Sequence, residues 1–259
     1  MDYLTLKIVS IFLILAIGLL GGLFPIKTAN FSSKQRFFSR GAAFSGGIFI
    51  GAGLIHMLPD ANEGFTESLK SVDYPLAFLV CALGFLLILM LDKIFFGKQA
   101  HDIQLGTGDE KKHIPYILAV ILSVHSMIAG IALGVDGSVA TSLIILIAIL
   151  SHKGSAAFAL GVSLMKAGIA KEQSQKTIYL FSIMTPLGVL IGIILHHFML
   201  SDNQVLLEAV FDAVAAGTFL YIAIMEVIRE EFDSKGDLWV KFCFLASGLI
   251  VMGLLAVWL

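Results

Sequence analysis

Apolar residues in this chain come in long runs separated by short polar breaks, with no period-two alternation of the kind that marks half-buried strands. A membrane-spanning helix needs roughly 20 consecutive, mainly apolar residues. That criterion predicts eight spanning helices, at about 3–24, 40–60, 75–96, 114–136, 139–166, 177–200, 206–228 and 238–258. No soluble domain fits between them, so residues 1–259 read as one transmembrane domain. The fold class predicted is an all-α membrane protein, a bundle of eight helices. The longest polar break, about 97–113, is expected to be a flexible loop.

The positive charges orient the bundle. The breaks after the first, third, fifth and seventh segments, with their flanks, carry 14 of the 17 lysines and arginines, and Lys70 alone lies in the even-numbered breaks. Basic loops stay in the cytoplasm, so both termini are expected outside and loop 97–113 inside, as in a protein of the plasma (inner) membrane. Composition agrees: 58% of residues are hydrophobic, 14% are charged, and mean hydropathy is +0.94. A net charge of -2 with no basic stripe excludes nucleic acid as a partner. Cys81 and Cys243 each fall in an apolar run and read as small core residues, not a disulfide. The first segment lacks a small-residue cleavage site and is expected to be retained.

Within this apolar background one phrase occurs twice. His125-Ser-Met-Ile-Ala-Gly-Ile-Ala-Leu-Gly-Val135 and His152-Lys-Gly-Ser-Ala-Ala-Phe-Ala-Leu-Gly-Val162 share a frame of His, Ala and Ala-Leu-Gly-Val. At 100° per residue His125, Ala129 and Ala132 share a helix face, as do His152, Ala156 and Ala159. A histidine inside a membrane helix loses hydration and needs a hydrogen bond, a counter-charge or a metal ion. The small-xxx-small patterns Gly130/Gly134 and Ala157/Gly161 permit close helix approach. The short turn at 136–138 makes the fourth and fifth segments antiparallel neighbours, which sets both imidazoles level near mid-membrane, where alternating-access carriers bind substrate. A lone buried histidine is more often structural; a repeated, level pair favours an ion site.

Other polar residues join the list. Lys153 is equally deep, where an unpaired ammonium costs about 3 kcal/mol; Asp212 in the seventh segment is its nearest carboxylate by depth, whether in a functional or a structural pair. Glu226 lies towards the inner end of that segment, as an exit-path ligand or a surface charge. His56 and Asp60 flank HMLPD at the outer end of the second, a donor pair that suits a borderline cation such as zinc. Asp136 sits at the outer mouth, as a cation-attracting group or an ordinary turn residue. Pro186 should free carbonyls and bend the sixth helix. His196 and His197 read as interfacial, and His101 and His113 as sparse loop residues.

Five blocks in this order resemble the ZIP (Zrt/Irt-like) family of divalent-metal transporters, in particular the branch of human zinc-uptake members: Gly46–Glu63, His125–Val135, Ser151–Gly161, Met184–Gly188 and Asp212–Ile228. The resemblance covers nearly the whole chain. It implies that Zn²⁺, or a related cation such as Cd²⁺, Fe²⁺ or Mn²⁺, enters the cytoplasm as a substrate held between the fourth and fifth helices. It implies no prosthetic group and no enzymatic activity. The expected partners are the divalent ion and the lipid bilayer, with a homodimer left open. His125, Ser126 and Gly130 match the family's fourth-helix pattern His-Ser/Asn-x-x-Glu-Gly, and His152 matches the start of the fifth-helix pattern. Lys153 matches the branch in which lysine replaces a second-site carboxylate, which implies one metal instead of two.

Two departures stand out. Ala129 occupies the place of the fourth-helix glutamate, and Ala156 the equivalent place on the fifth. Zinc normally gathers three or four N, S or O ligands, so two imidazoles beside an ammonium make a poor cage. Three outcomes are open: Asp212 or Glu226 supplies the charge, water completes a weak shell, or the substrate is changed or lost. A permease is the leading reading. A metal-binding regulator with little flux is the alternative, and an intramembrane metal hydrolase ranks lower because neither central helix offers a carboxylate as general base.

Overall fold

The computed structural model describes residues 3–28, 31–96, 110–196, 204–233 and 237–257. Most of the expected loop, with Lys98 and His101, lies outside these residues, as do His197 and Lys235, and the side chain of His113 is also not described. Eight helices are long and apolar enough to cross a membrane, and no strand occurs among the described residues.

In chain order, α1 is Tyr3–Lys27. Helix α2 runs as Phe31–Gly51, through a π-helical turn at Ala52–Met57, into Leu58–Ser68. Helix α3 is Leu76–Met90 with a π turn at Leu91–Phe96. Helices α4, α5 and α6 are Glu110–Val135, Val139–Lys166 and Lys171–His196. Helix α7 joins Gln204–Tyr221, a π turn at Ile222–Ile228 and Arg229–Asp233, and α8 is Leu238–Leu255. Helix α6 begins at Lys171, earlier than hydropathy places it, because its first turn (Lys171, Glu172, Gln173, Ser174) is polar yet helical. Polar caps separate the elements: the Ser138 hydroxyl accepts the Thr141 N–H at the start of α5, and the Asp237 carboxylate accepts the Val240 N–H at the start of α8. Two of the three π turns among the described residues carry candidate residues, His56 and Glu226; such turns re-aim side chains and recur at functional sites.

The helices sort into two four-helix groups. Helices α1, α4, α5 and α6 pack on one another, with α4 against α6 and α1 against α5 as the closest pairs. Helices α2, α3, α7 and α8 form the second group, with α2 against α8 and α3 against α7. The groups meet along a seam where α2 touches α5 and α4 touches α7. Small residues allow close crossings within the first group: a Cβ at Gly188 would lie 2.2 Å from the Met127 carbonyl oxygen, and one at Gly161 would lie 2.6 Å from that of Gly22. The two small-residue patterns therefore serve α6 and α1. Helices α4 and α5 approach each other less closely than either approaches those partners, and the repeated motif turns its imidazole faces toward the seam.

Candidate metal site

The site is built from four helices, two from each group. His125 and His152 are 3% exposed, and their ring centroids are 5.7 Å apart. An ion bound at the usual Zn–N distance of about 2.0–2.1 Å sits roughly 3.2 Å from each ring centroid, so two rings at a tetrahedral angle stand about 5.2 Å apart. The observed separation suits one shared ion after a small ring rotation. Both nitrogens of His125 are buried with no hydrogen-bond partner among the described residues, and Nδ1 of His152, also buried, has no well-formed bond although the Ala148 carbonyl lies within weak reach one turn back. A neutral imidazole has one donor and one acceptor, and leaving such groups unpaired costs about 1–3 kcal/mol each. These nitrogens are poised for something other than the protein's own polar groups.

An aromatic ring that the sequence reading overlooked completes the geometry. Phe219 of α7 is fully buried, with its centroid 4.0 Å from that of His125 and 5.0 Å from that of His152. Phe49 of α2 stacks behind it at 5.2 Å and 19°. An aromatic pair from one group thus presses on the imidazole pair of the other. Phe219 lies in the Asp212–Ile228 block, but an aromatic at helical spacing reads as ordinary core until the packing is known.

Lys153 does not pair with Asp212. Its ammonium donates to the Ser126 hydroxyl at 2.9 Å, to the Thr185 hydroxyl at 3.0 Å and to the Phe181 carbonyl at 3.3 Å, and lies 3.7 Å from the centre of the Phe181 ring. Three acceptors and a π face satisfy the cation without a carboxylate. Two of those acceptors come from the turn before Pro186, where α6 remains helical. Ser126 is thereby committed to the lysine, whose Nζ is held close to the imidazoles.

The other candidate residues lie further off. Asp212 and Glu226 each stand seven residues from Phe219 along α7, about 10 Å at 1.5 Å per residue, on opposite sides of it. His56 Nδ1 lies 2.9 Å from Asp60 Oδ2, one turn apart on α2, and Asp212 is within electrostatic reach of both and of Glu208. Asp136 caps the α4–α5 turn, accepting the Ser138 N–H at 3.2 Å and the Ser142 hydroxyl at 2.5 Å, which is its turn role made concrete. His196 Nδ1 sits 2.6 Å from the Val135 carbonyl oxygen. Among the described residues no group of three or more His, Cys, Asp or Glu side chains converges as a metal cage. Ala129 packs on the apolar cluster of Leu6, Ile14, Leu133, Leu146, Ile149 and Val189.

On the cytoplasmic side of the expected topology a cavity of about 680 Å³ opens along the same seam. Pro115, Ser163, Lys166 and Ala167 form its wall on the first group, and Lys93, Met225, Glu226, Arg229, Glu230 and Asp233 its wall on the second. Glu226 therefore faces this cavity instead of the histidine pair.

Comparison with known proteins bears on what this arrangement serves. The chain is 27% identical over 304 residues to zinc transporter ZIP2 of Mus musculus, covering 98% of both chains, and equally identical over 307 residues to its Homo sapiens counterpart, again at 98% of both. It is 28% identical over 291 residues to zinc transporter ZIP1 of Homo sapiens, covering 96% of this chain and 90% of that one. The sequence profile of the family described as ZIP Zinc transporter matches residues 4–256. Eight spanning helices, paired mid-helix histidines and a match from end to end lead to one conclusion: this integral membrane protein belongs to the ZIP family of zinc transporters.

Proposed function

We propose that this protein carries Zn²⁺, or a related divalent cation, into the cytoplasm, with His125 and His152 as the ligands of a single mid-membrane site. The observation that carries the reading is the set of unpartnered, buried ring nitrogens at a separation that one ion can bridge. The mechanism is alternating access: the group α1, α4, α5 and α6 carries the imidazoles, and α2 and α7 of the other group carry Phe49 and Phe219. Relative movement along the seam withdraws Phe219 and lets water or carbonyl oxygens complete the ion's shell. Lys153 fills the second position as a fixed cation, so one ion is bound per cycle. Its charge, with no nearby carboxylate, keeps binding weak, which suits a carrier that must release its cargo. Asp60, His56 and Asp212 form the outer approach and Glu226 the inner one, in a plasma-membrane protein with both termini outside.

The test is uptake of radiolabelled zinc into proteoliposomes, wild type beside His125→Ala and His152→Ala, with Cd²⁺, Mn²⁺ and Fe²⁺ as competitors. Saturable flux lost in both variants is the expected result. Normal flux in the double variant would remove these residues from the mechanism. Ala129, Ala156 and the neighbouring Lys153 ammonium favour a second reading, a metal-binding regulator; zinc-dependent thermal stabilisation without flux would select it. Membership in a transporter family leaves the hydrolase reading without support.

A further inference from the structure

Where the two groups face each other across the cytoplasmic cavity, one buried carboxylate gathers donors from both sides. Glu231 at the end of α7 is 1% exposed. Its carboxylate accepts the Ser39 hydroxyl of α2 and the Lys166 ammonium of α5 in short hydrogen bonds. The Lys241 ammonium of α8 donates to the Glu231 backbone carbonyl at 2.5 Å and stands 3.9 Å from its carboxylate. Lys166 also lies 3.4 Å from Glu230. Ser39, Glu231 and Lys241 belong to α2, α7 and α8, three helices of one group; Lys166 belongs to the other.

The geometry points to Lys166 as a strap across the inner cleft, anchored on Glu231, that positions the two helix groups and must let go for the cleft to open to the cytoplasm. Ser163 and Lys166 line one wall of the cavity, and Met225, Glu226 and Glu230 line the opposite one. A bond from Lys166 to Glu231 therefore spans the gap whose width the transport cycle changes. Glu231 suits the anchor because Ser39 and Lys241 hold it when the strap is off: its charge keeps a donor and a cation from its own group. Lys166 suits the mobile end because its side chain is 18% exposed and its long stem lets the ammonium reach water as soon as it leaves the carboxylate. A buried carboxylate stranded without partners would make release prohibitive; this arrangement avoids that on both sides. The inference rests on the alternating-access reading, and its test reads cleft width separately from flux.

The experiment uses the full chain in proteoliposomes, with Cys81 and Cys243 replaced by Ala and a single reporter, Ser163→Cys, in the cavity wall. A membrane-impermeant maleimide presented to the cytoplasmic face reports how often the cleft is wide enough to admit it. Lys166→Met keeps the apolar stem and removes the charge; it is expected to label about fivefold faster, the factor a partly buried ion pair contributes to a two-state equilibrium. Lys166→Arg, which keeps the charge, is expected to label at the parent rate. Should Lys166→Met fold poorly, Lys166→Gln removes the same charge with a smaller change in polarity and is expected to shift labelling the same way. Labelling of a folded Lys166→Met protein at the parent rate, or equal acceleration by Lys166→Arg, would overturn the strap. Faster labelling with no zinc flux in any protein, the parent included, would uphold the strap and sink the transport reading instead.

Discussion

The unpaired imidazoles give a prediction that separates a ligand site from a structural histidine. Consider His125→Leu, close to volume-conserving. In the wild type both ring nitrogens of His125 are buried without partners, and each costs about 1–3 kcal/mol relative to a satisfied group. Leucine removes both penalties and keeps apolar contact with Phe219. The misfit of a branched side chain in a planar slot returns up to about 1.5 kcal/mol. Two penalties less the misfit leave a metal-free protein stabilised by roughly 0.5–6 kcal/mol. For a chain of this size that raises Tm by roughly 1–24 °C, taking about 2–4 °C per kcal/mol. The assay is thermal unfolding in detergent with chelator present, followed by the same melt with zinc. Zinc at 100 times Kd stabilises a binding-competent protein by about 2.7 kcal/mol, so wild type should gain Tm on zinc addition and His125→Leu should not. A variant that is more stable yet zinc-blind is the signature of a residue kept for function at the expense of the fold. A lower Tm without metal would refute the argument, since it would mean that His125 holds the bundle together.

Four further outcomes follow from the same geometry. Ala129→Glu, one turn beyond His125, is expected to tighten zinc at least about tenfold in a competition titration, and to lower metal-free Tm because the carboxylate enters the Leu6/Ile14/Leu133 cluster. Lys153→Gln keeps a donor for Ser126 and Thr185 and removes the charge; zinc should bind at least about tenfold more tightly, by Coulomb's law at an effective dielectric near 20, and unchanged affinity would show that the ammonium is screened from the ion. Phe219→Ala is expected to cost about 3–5 kcal/mol of stability while raising zinc on-rates in stopped-flow measurements, because the ring no longer leans on both imidazoles. Gly188→Ala would place a Cβ 2.2 Å from the Met127 carbonyl oxygen; it should force α4 and α6 apart, cost about 1–3 kcal/mol or more, and appear as loss of the monodisperse peak in size-exclusion chromatography.

Hydrophobic periodicity and charge placement were sufficient for the number of spans, since the bilayer admits little besides helices long enough to cross it. The repeat around His125 and His152 was equally legible: sequence spacing alone puts both imidazoles at one depth, and the short turn at 136–138 makes their helices neighbours. Partner choice was not legible. The glycine faces of α4 and α5 look, in sequence, as though made for each other, yet they bury against α6 and α1. Small-xxx-small patterns specify how closely a helix can be approached, not by which helix. Lys153 makes the same point. Depth suggested a carboxylate, but the fold satisfies the ammonium with two hydroxyls, a carbonyl and an aromatic face from α4 and α6, groups too common in a sequence to be picked out. Phe219 reads as one more core aromatic among 20 phenylalanines until tertiary packing lays it on both histidines. Composition and spacing decide what must be buried and how deep; which buried groups meet depends on packing between helices distant in the chain, and that is where the site, its aromatic wedge and the strap at its inner mouth were decided.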